Sequence, residues 1–586
     1  MTLATPDLRG YVVIDQADRG RVRPDVVRAI RGLEGGGWRK ALEIDGLSVY
    51  LGPESPLKVT QVQRRHILIG DWLGDGEFLS TLVALHRSAE ALASAVVSQG
   101  WGRYVFVWRD DDGDLRLLRD PSGALDCVCW RYGSAGLATS QPPDALDPLM
   151  PDDLAIDWDV LGEIVGAVNL ASDALALTGL EAVMPGGLAR IGRTVTQGAV
   201  WTPARFAAAA RHWDDRPGAM VDVVDRAVAA SVDGHARIVT EISGGLDSAI
   251  IAASLVETGG ARRSRFVNYF DDQPEGDERT FARAAAATLG VSLEEIHKPI
   301  APLSRRQFDP LGQSVRPALH GVDMVYDADM AGRARKVRAT GLLTGQGGDA
   351  VFFQSPDPLV FADRIRREGL WGLEPSHLAA VARWTRHSVW TIARHSLFPK
   401  PRPLAPGRRH RWLEGAGSLA PGKARQVQQL ANCQTYWSDC LRARSATLLH
   451  PLLTQPVMEH CLAIPTDRLT LGARDRGLAR AAFADRLPSP IVERRDKGDL
   501  SRFYALVVRQ SAAVFKELLV DGRLADQGLI DTDGFDQALS DASLIWDPAT
   551  NRFLILSALE VWARTWEARI ARVRRAKIAV QPGENA

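Results

Sequence analysis

A chain of 586 residues is too long for one ordinary domain, so two or more are expected, each with room for a sizeable core. Hydrophobic content of 46% and charged content of 24% are those of a soluble globular protein. The 71 basic and 71 acidic residues cancel, so overall charge gives no support to a nucleic-acid or membrane-surface partner.

The opening M-T-L-A-T-P-D-L-R-G has no basic segment followed by an apolar one, so no secretory signal is expected. No uninterrupted apolar run is long enough to span a bilayer. Strand patterns follow at 10–15, 47–52, 103–109 and 115–120, the last two joined by the turn D-D-D-G-D. A helical pattern occupies 77–96. Cys127 and Cys129 alternate in C-V-C-W, which suits packing on one face of a strand. The five thinly scattered cysteines do not read as a disulfide framework, so a reducing, cytoplasmic setting is expected. A Pro-, Ala- and Trp-marked stretch at 201–218 reads as a boundary.

Beyond it, strands and helices alternate: helix 219–232, strand 236–242, helix 248–257, strand 265–270, helix 278–290, strand 291–297 and strand 341–344. That alternation predicts an α/β unit with a parallel sheet and a ligand at the carboxyl ends of its strands. From about residue 360 the periodicity is mainly helical, and 396–424, rich in Pro, Arg and Gly, reads as an exposed loop.

The loop between strand 236–242 and its helix is S-G-G-L-D-S: Ser243, Gly244, Gly245, Leu246, Asp247 and Ser248. Glycines there let backbone N–H groups converge, and the helix N-terminus adds a positive dipole end, which together suit an anion. A kinase- or GTPase-type phosphate loop needs Gly-Lys-Ser/Thr, and a dinucleotide fingerprint needs G-x-G-x-x-G; neither is present. Asp247 would repel phosphates unless a cation lay between them, so Mg²⁺ is implied. The plain alternative, a strand–helix turn capped by Asp247 or Ser248, explains one residue out of six.

This loop resembles the pyrophosphate loop of the N-type ATP pyrophosphatases, and the chain resembles the asparagine-synthetase superfamily. T-G-Q-G-G-D (344–349), with Gly345, Gly347 and Asp349, is similar to that family's second glycine turn. The segments 450–465 and 476–498 are similar to its next two motifs, the latter ending in a turn that holds Lys497. The resemblance implies ATP and Mg²⁺ as cofactors, Asp247 and Asp349 as metal ligands, and Lys497 stabilising charge as an amine attacks an acyl-adenylate. It also implies that backbone groups of the strand 265–270, around Val267, read adenine. Asp277 and Glu278, which open a helix, lie near where the family carries acidic residues.

The first part resembles a glutaminase-like, Ntn-hydrolase-type α+β sandwich, through G-R-Y-V-F-V-W-R…L-R-L-L-R-D-P-S-G (102–123) and M-P-G-G-L-A-R-I (184–191). The expected division is 1–203 for this unit and 215–575 for the ATP-binding synthetase unit. Working amidotransferases carry a cysteine directly after the initiator methionine. Here that residue is Thr2, outside the first expected strand, so glutaminase activity is expected to be absent.

Without delivered ammonia, the amine must belong to a substrate. The β-lactam-forming relatives rely on a tyrosine in the second glycine turn, where this chain has Gln346. The resemblance therefore implies a lasso-peptide macrolactam synthetase, with a precursor peptide as substrate and a leader-peptide protease and leader-recognition protein as partners. A β-lactam-synthetase-like enzyme, a stand-alone amide ligase, a glutamine-hydrolysing asparagine synthase and a non-catalytic scaffold remain as alternatives.

Overall fold

The computed structural model describes residues 8–16, 23–168, 170–208, 213–398, 410–495, 498–540, 544 and 550–578. The first part of the chain builds two six-stranded sheets. In spatial order one comprises Glu181–Ala182, Val128–Tyr132, Ala135–Thr139, Tyr11–Gln16, Leu47–Leu51 and Arg39–Ile44. The other comprises Val195–Ala199, Gly187–Ile191, Leu115–Arg119, Trp101–Arg109, His66–Leu73 and Val59–Gln63. Their pairings are antiparallel.

Period-2 alternation sends Tyr11, Val13, Val49 and Leu51 of the first sheet against Ile67, Ile69, Val105 and Val107 of the second, in one buried cluster. Cys127 and Cys129 belong to that cluster, and all five cysteines are buried. The expected helix over 77–96 is two helices, Gly76–Leu85 and Ala89–Gln99. Ser88 breaks the pattern because its Oγ accepts the Ala91 N–H at 3.1 Å and caps the second helix.

The second part builds a five-stranded sheet in the order Leu293–His297, Ser264–Phe270, Ile238–Glu241, Gly341–Leu343 and Thr447–Leu449, every pair parallel. Four of these strands are legible in the sequence. Thr447–Leu449, only 3 residues long, is too short for periodicity to reveal. The chain works outward from Ile238–Glu241 to one edge, then returns and continues on the other side. The order therefore reverses between Ile238–Glu241 and Gly341–Leu343, and both glycine turns leave the carboxyl ends of those two strands. The helix after the first turn starts at Leu246, two residues earlier than expected, so Asp247 lies in its first turn.

The expected loop over 396–424 is exposed at Leu397 and Phe398 but anchored by buried side chains after His410. Trp412 is buried and its Nε1 donates to the Pro185 carbonyl at 3.0 Å, while Pro421 opens the helix Pro421–Asn432, in which Lys423 is buried. Prolines and arginines obscured these anchors in the sequence; residues 399–409 of that stretch lie outside the described residues. The long helix Asn551–Ile578 joins the two parts. Trp562 and Trp566 both donate to the Ser314 carbonyl at 2.8 Å, and Arg569 and Arg572 ion-pair with Asp147 at 2.9 and 2.8 Å. Among the described residues no helix is long and apolar enough to cross a membrane.

Candidate active site

The two glycine turns pack against each other at the strand-order reversal. A Cβ on Gly345 would lie 2.5 Å from the Ser248 nitrogen, and one on Gly348 would lie 2.3 Å from the Asp247 carboxyl carbon. Gly244 and Gly347 both have φ +95, which side-chain-bearing residues rarely adopt. The glycines thus bring two backbones into contact, which side chains at Gly345 and Gly348 would forbid. The serines tie the first turn down: Ser243 N–H donates to Ser248 Oγ at 3.1 Å, the two hydroxyls lie 3.0 Å apart, and Gly245 N–H donates to Ser243 Oγ at 3.3 Å. Ser248 Oγ in turn donates to the Gly245 carbonyl at 3.1 Å.

Asp247 and Asp349 meet at Arg476. A single guanidinium nitrogen of Arg476 lies 2.9 Å from Asp247 and 3.0 Å from Asp349, while another lies 2.8 Å from Asp475. Burial works against the Arg476 charge, but Asp247, Asp349 and Asp475 outweigh it and hold its pKa above the ordinary arginine value. Two carboxylates converging on one cation are the donor set Mg²⁺ takes when phosphate oxygens and water complete its shell. Here the cation between them is the guanidinium. With its amide nitrogen turned toward the carboxylate, Gln354 also donates to Asp349, at 2.7 Å. Sequence reasoning placed Arg476 inside a motif and missed its role. The signal was D-R-G at 475–477, an acid and a base before a glycine, with Arg476 at φ +51.

Asp247, Asp349 and Arg476 line a cavity of about 630 Å³ with Ser243, Gly245, Leu246, Ser248, Gly345 and Gly347. Glu278, packed against Gly244 of the first turn, pairs with Arg494 at 2.7 Å and accepts the Gly498 N–H at 2.9 Å. Arg494 and Gly498 both line the cavity, whereas Lys497, between them, lies outside the described residues, as does Thr2. Asp277 is occupied with Arg279, 2.7 Å away. Val267 is 2% exposed and packs with Val239, Ile296 and Leu342. Its strand reaches the cavity through Tyr269 and Phe270 instead.

Two further pairs in the wall escaped the sequence. Tyr326 donates to Glu241 at 2.5 Å, and burial followed by the Glu241 charge holds the phenol well above its ordinary pKa. The Gln346 amide nitrogen lies 2.8 Å from His320 Nε2, and burial, then Arg442, pushes His320 down to about 4, so it is neutral near pH 7. A second cavity, of about 230 Å³, lies between the two parts of the chain; Arg9, Arg103, Arg119 and Asp126 line it, and no cysteine does among the described residues.

Residues 219–564 match the family model of asparagine synthase. The chain is similar to the "Microcin J25-processing protein McjC" of Escherichia coli, 24% identical over 338 residues, covering 54% of this chain and 57% of that protein. It therefore spans little more than half of that relative's length. Among solved structures it is similar to the glutamine phosphoribosylpyrophosphate amidotransferase of B. subtilis, at 12% identity, TM-score 0.21, covering 57% of this chain and 90% of that one. It is also similar to the allosteric regulatory enzyme of purine biosynthesis, at 13% identity, TM-score 0.20, covering 51% and 77%. Likenesses that weak carry no weight for the fold.

Proposed function

This chain belongs to the asparagine synthase family, and from that premise we propose that it is an ATP-dependent amide ligase releasing AMP and pyrophosphate. Residues 215–575 would form its PP-loop synthetase unit, and residues 1–203 an Ntn-type, glutaminase-like scaffold. The observation that carries the reading is the convergence of Asp247 and Asp349 on one cation at the strand-order reversal, beside the S-G-G-L-D-S turn. Backbone N–H groups of Leu246, Asp247 and Ser248 at the helix N-terminus would orient the pyrophosphate portion of ATP. Asp247 and Asp349 would hold Mg²⁺, whose positive charge would ease departure of pyrophosphate. Arg476 would keep those carboxylates apart and in place before the nucleotide arrives.

A substrate carboxylate oxygen then bonds to the α-phosphorus of ATP as the bond to the β-phosphate oxygen breaks, giving an acyl-adenylate and pyrophosphate. The amine attacks the acyl carbon, loses a proton, and AMP departs. Lys497 would stabilise the oxyanion that develops in this second step.

The substrate we infer is a precursor core peptide freed of its leader. Its Asp or Glu side chain would be adenylated, and its own N-terminal amine would close an isopeptide ring, as in lasso peptides. A leader-recognition protein and a protease would supply that amine. Support comes from Gln346 in the second turn and similarity to a protein named for microcin J25 processing. Ring closure on a small molecule is the second reading, favoured by the Tyr326–Glu241 pair in the cavity wall.

The test is incubation with ATP, Mg²⁺ and synthetic peptides bearing a free N-terminus and one Asp or Glu at varied positions. Loss of one water from a peptide, with one AMP released, supports the macrolactam reading. AMP released only with ammonia or small amino acids, and no peptide dehydrated, overturns it.

A further inference from the structure

Among the described tryptophans, all but two are buried or half-buried. Trp371 is 91% exposed and Trp390 81%, and nearby in sequence Phe398 is 74% exposed. Around Trp390 and Phe398 the sequence is one-sided in charge, whereas Trp371 lies between Glu368 and Glu374. From residue 375 to 413 the sequence holds eight Lys or Arg and no Asp or Glu, within a chain of zero net charge. Arg383, Arg386 and Arg394 are exposed and make no ion pair among the described residues.

The fold does not need these groups inside. Helices Pro375–Thr385 and Val389–Leu397 bury Val381 and Ile392 against Phe361. The corner between them is fixed locally: Arg386 adopts φ +56, the His387 N–H donates to the Ala382 carbonyl at 3.0 Å, and Ser388 caps the second helix through the Thr391 N–H at 3.1 Å. Residues 386–390 are consecutively exposed, so this is a projecting corner rather than a groove. Tryptophan and phenylalanine beside arginines that lack acidic neighbours suit the headgroup region of an anionic bilayer.

We propose that the exposed side of helix Val389–Leu397 and the corner before it, with Trp390 and Phe398 as apolar anchors and Arg383, Arg386 and Arg394 as electrostatic contacts, docks the protein peripherally on an anionic membrane surface. Whole-chain neutrality hides the local charge that such docking uses.

The test is flotation of the full chain, without ATP or peptide, with phosphatidylcholine vesicles that contain or lack about one third phosphatidylglycerol. The expected result is association with the anionic vesicles alone, weakened by salt, with a blue shift of tryptophan emission. Trp390→Ser/Phe398→Ser should weaken it about tenfold or more. Arg383→Gln/Arg386→Gln/Arg394→Gln should abolish the preference for anionic lipid. Both variants should keep the parent melting temperature, which separates loss of docking from loss of fold. No association, equal association with both vesicle types, or unchanged association of the variants would overturn the proposal. So would binding to polyglutamate with vesicles left unbound, which would assign the corner to an acidic polypeptide.

Discussion

Arg476 and Arg119 each stand in the wall of a cavity, nearly buried, with oxygens for partners. Arg119 donates to the carbonyls of Leu125, Val183 and Gly123 at 2.8, 2.9 and 2.8 Å, and pairs with Asp126 at 3.0 Å. Arg476 holds three carboxylates, two of which open onto the larger cavity. Carbonyls are neutral dipoles fixed in the backbone, so Arg119 fastens loops together. Carboxylates keep their charge whatever cation faces them, so the Arg476 cluster can exchange or share its cation with an incoming metal–nucleotide. One arginine closes a structure; the other reserves a charge arrangement for a ligand.

The comparison breaks first on the aspartates. Asp247→Asn or Asp349→Asn should lower AMP-forming turnover at least about 100-fold with little change in melting temperature. Near-normal AMP release by either would remove the metal assignment. Lys497→Ala should cost about as much in ring-closing kcat while leaving peptide affinity largely intact. A large affinity loss with unchanged turnover would place Lys497 in recognition instead.

The arginines themselves sharpen the contrast. Arg476→Met removes the guanidinium shared by Asp247 and Asp349, while Asp475 keeps Arg480 at 2.8 Å, and should cost about 3–5 kcal/mol in denaturant unfolding. Millimolar Mg²⁺ should recover part of that loss. Arg119→Met strands backbone carbonyls, costing about 1–3 kcal/mol for each group left unsatisfied, and Mg²⁺ should restore none of it. Equal recovery, or none in either variant, would erase the distinction.

A smaller effect is expected from pH. Burial pushes His410 down to about 4 and His450 to about 3. Both pKa values lie below the unfolded histidine value, so the unfolded chain binds more protons between the two limits. Their contribution is intact above about pH 6.5 and is lost as pH falls toward 4, at up to about 1.4 kcal/mol per unit for each. Melting temperature should drop between pH 7 and 5, less steeply in a His450→Gln variant. Thr2→Ala should change nothing, and lost activity would revive a glutaminase role.

Much of this was legible because the chemistry is local in sequence. S-G-G-L-D-S and T-G-Q-G-G-D announce themselves through glycines that only close backbone approach requires, and strand–helix alternation places them at strand ends. Arg476 was not legible, because its partnership with Asp247 spans 229 residues and depends on how the sheet and later helices pack. Glu241 with Tyr326, and Gln346 with His320, join elements far apart in the chain in the same way. The stretch 396–424 misled because composition speaks of loops, while Trp412 and Leu419 anchor its described end. The exposed corner around Trp390 escaped because a helical period tells which residues share a face, and packing alone tells which face is left outside.

The most direct test of the central claim is ATP–pyrophosphate exchange measured with and without a candidate peptide. The account predicts exchange that requires the peptide and Mg²⁺ and disappears in Asp247→Asn. ADP and orthophosphate as products, or exchange undiminished in that variant, would contradict it.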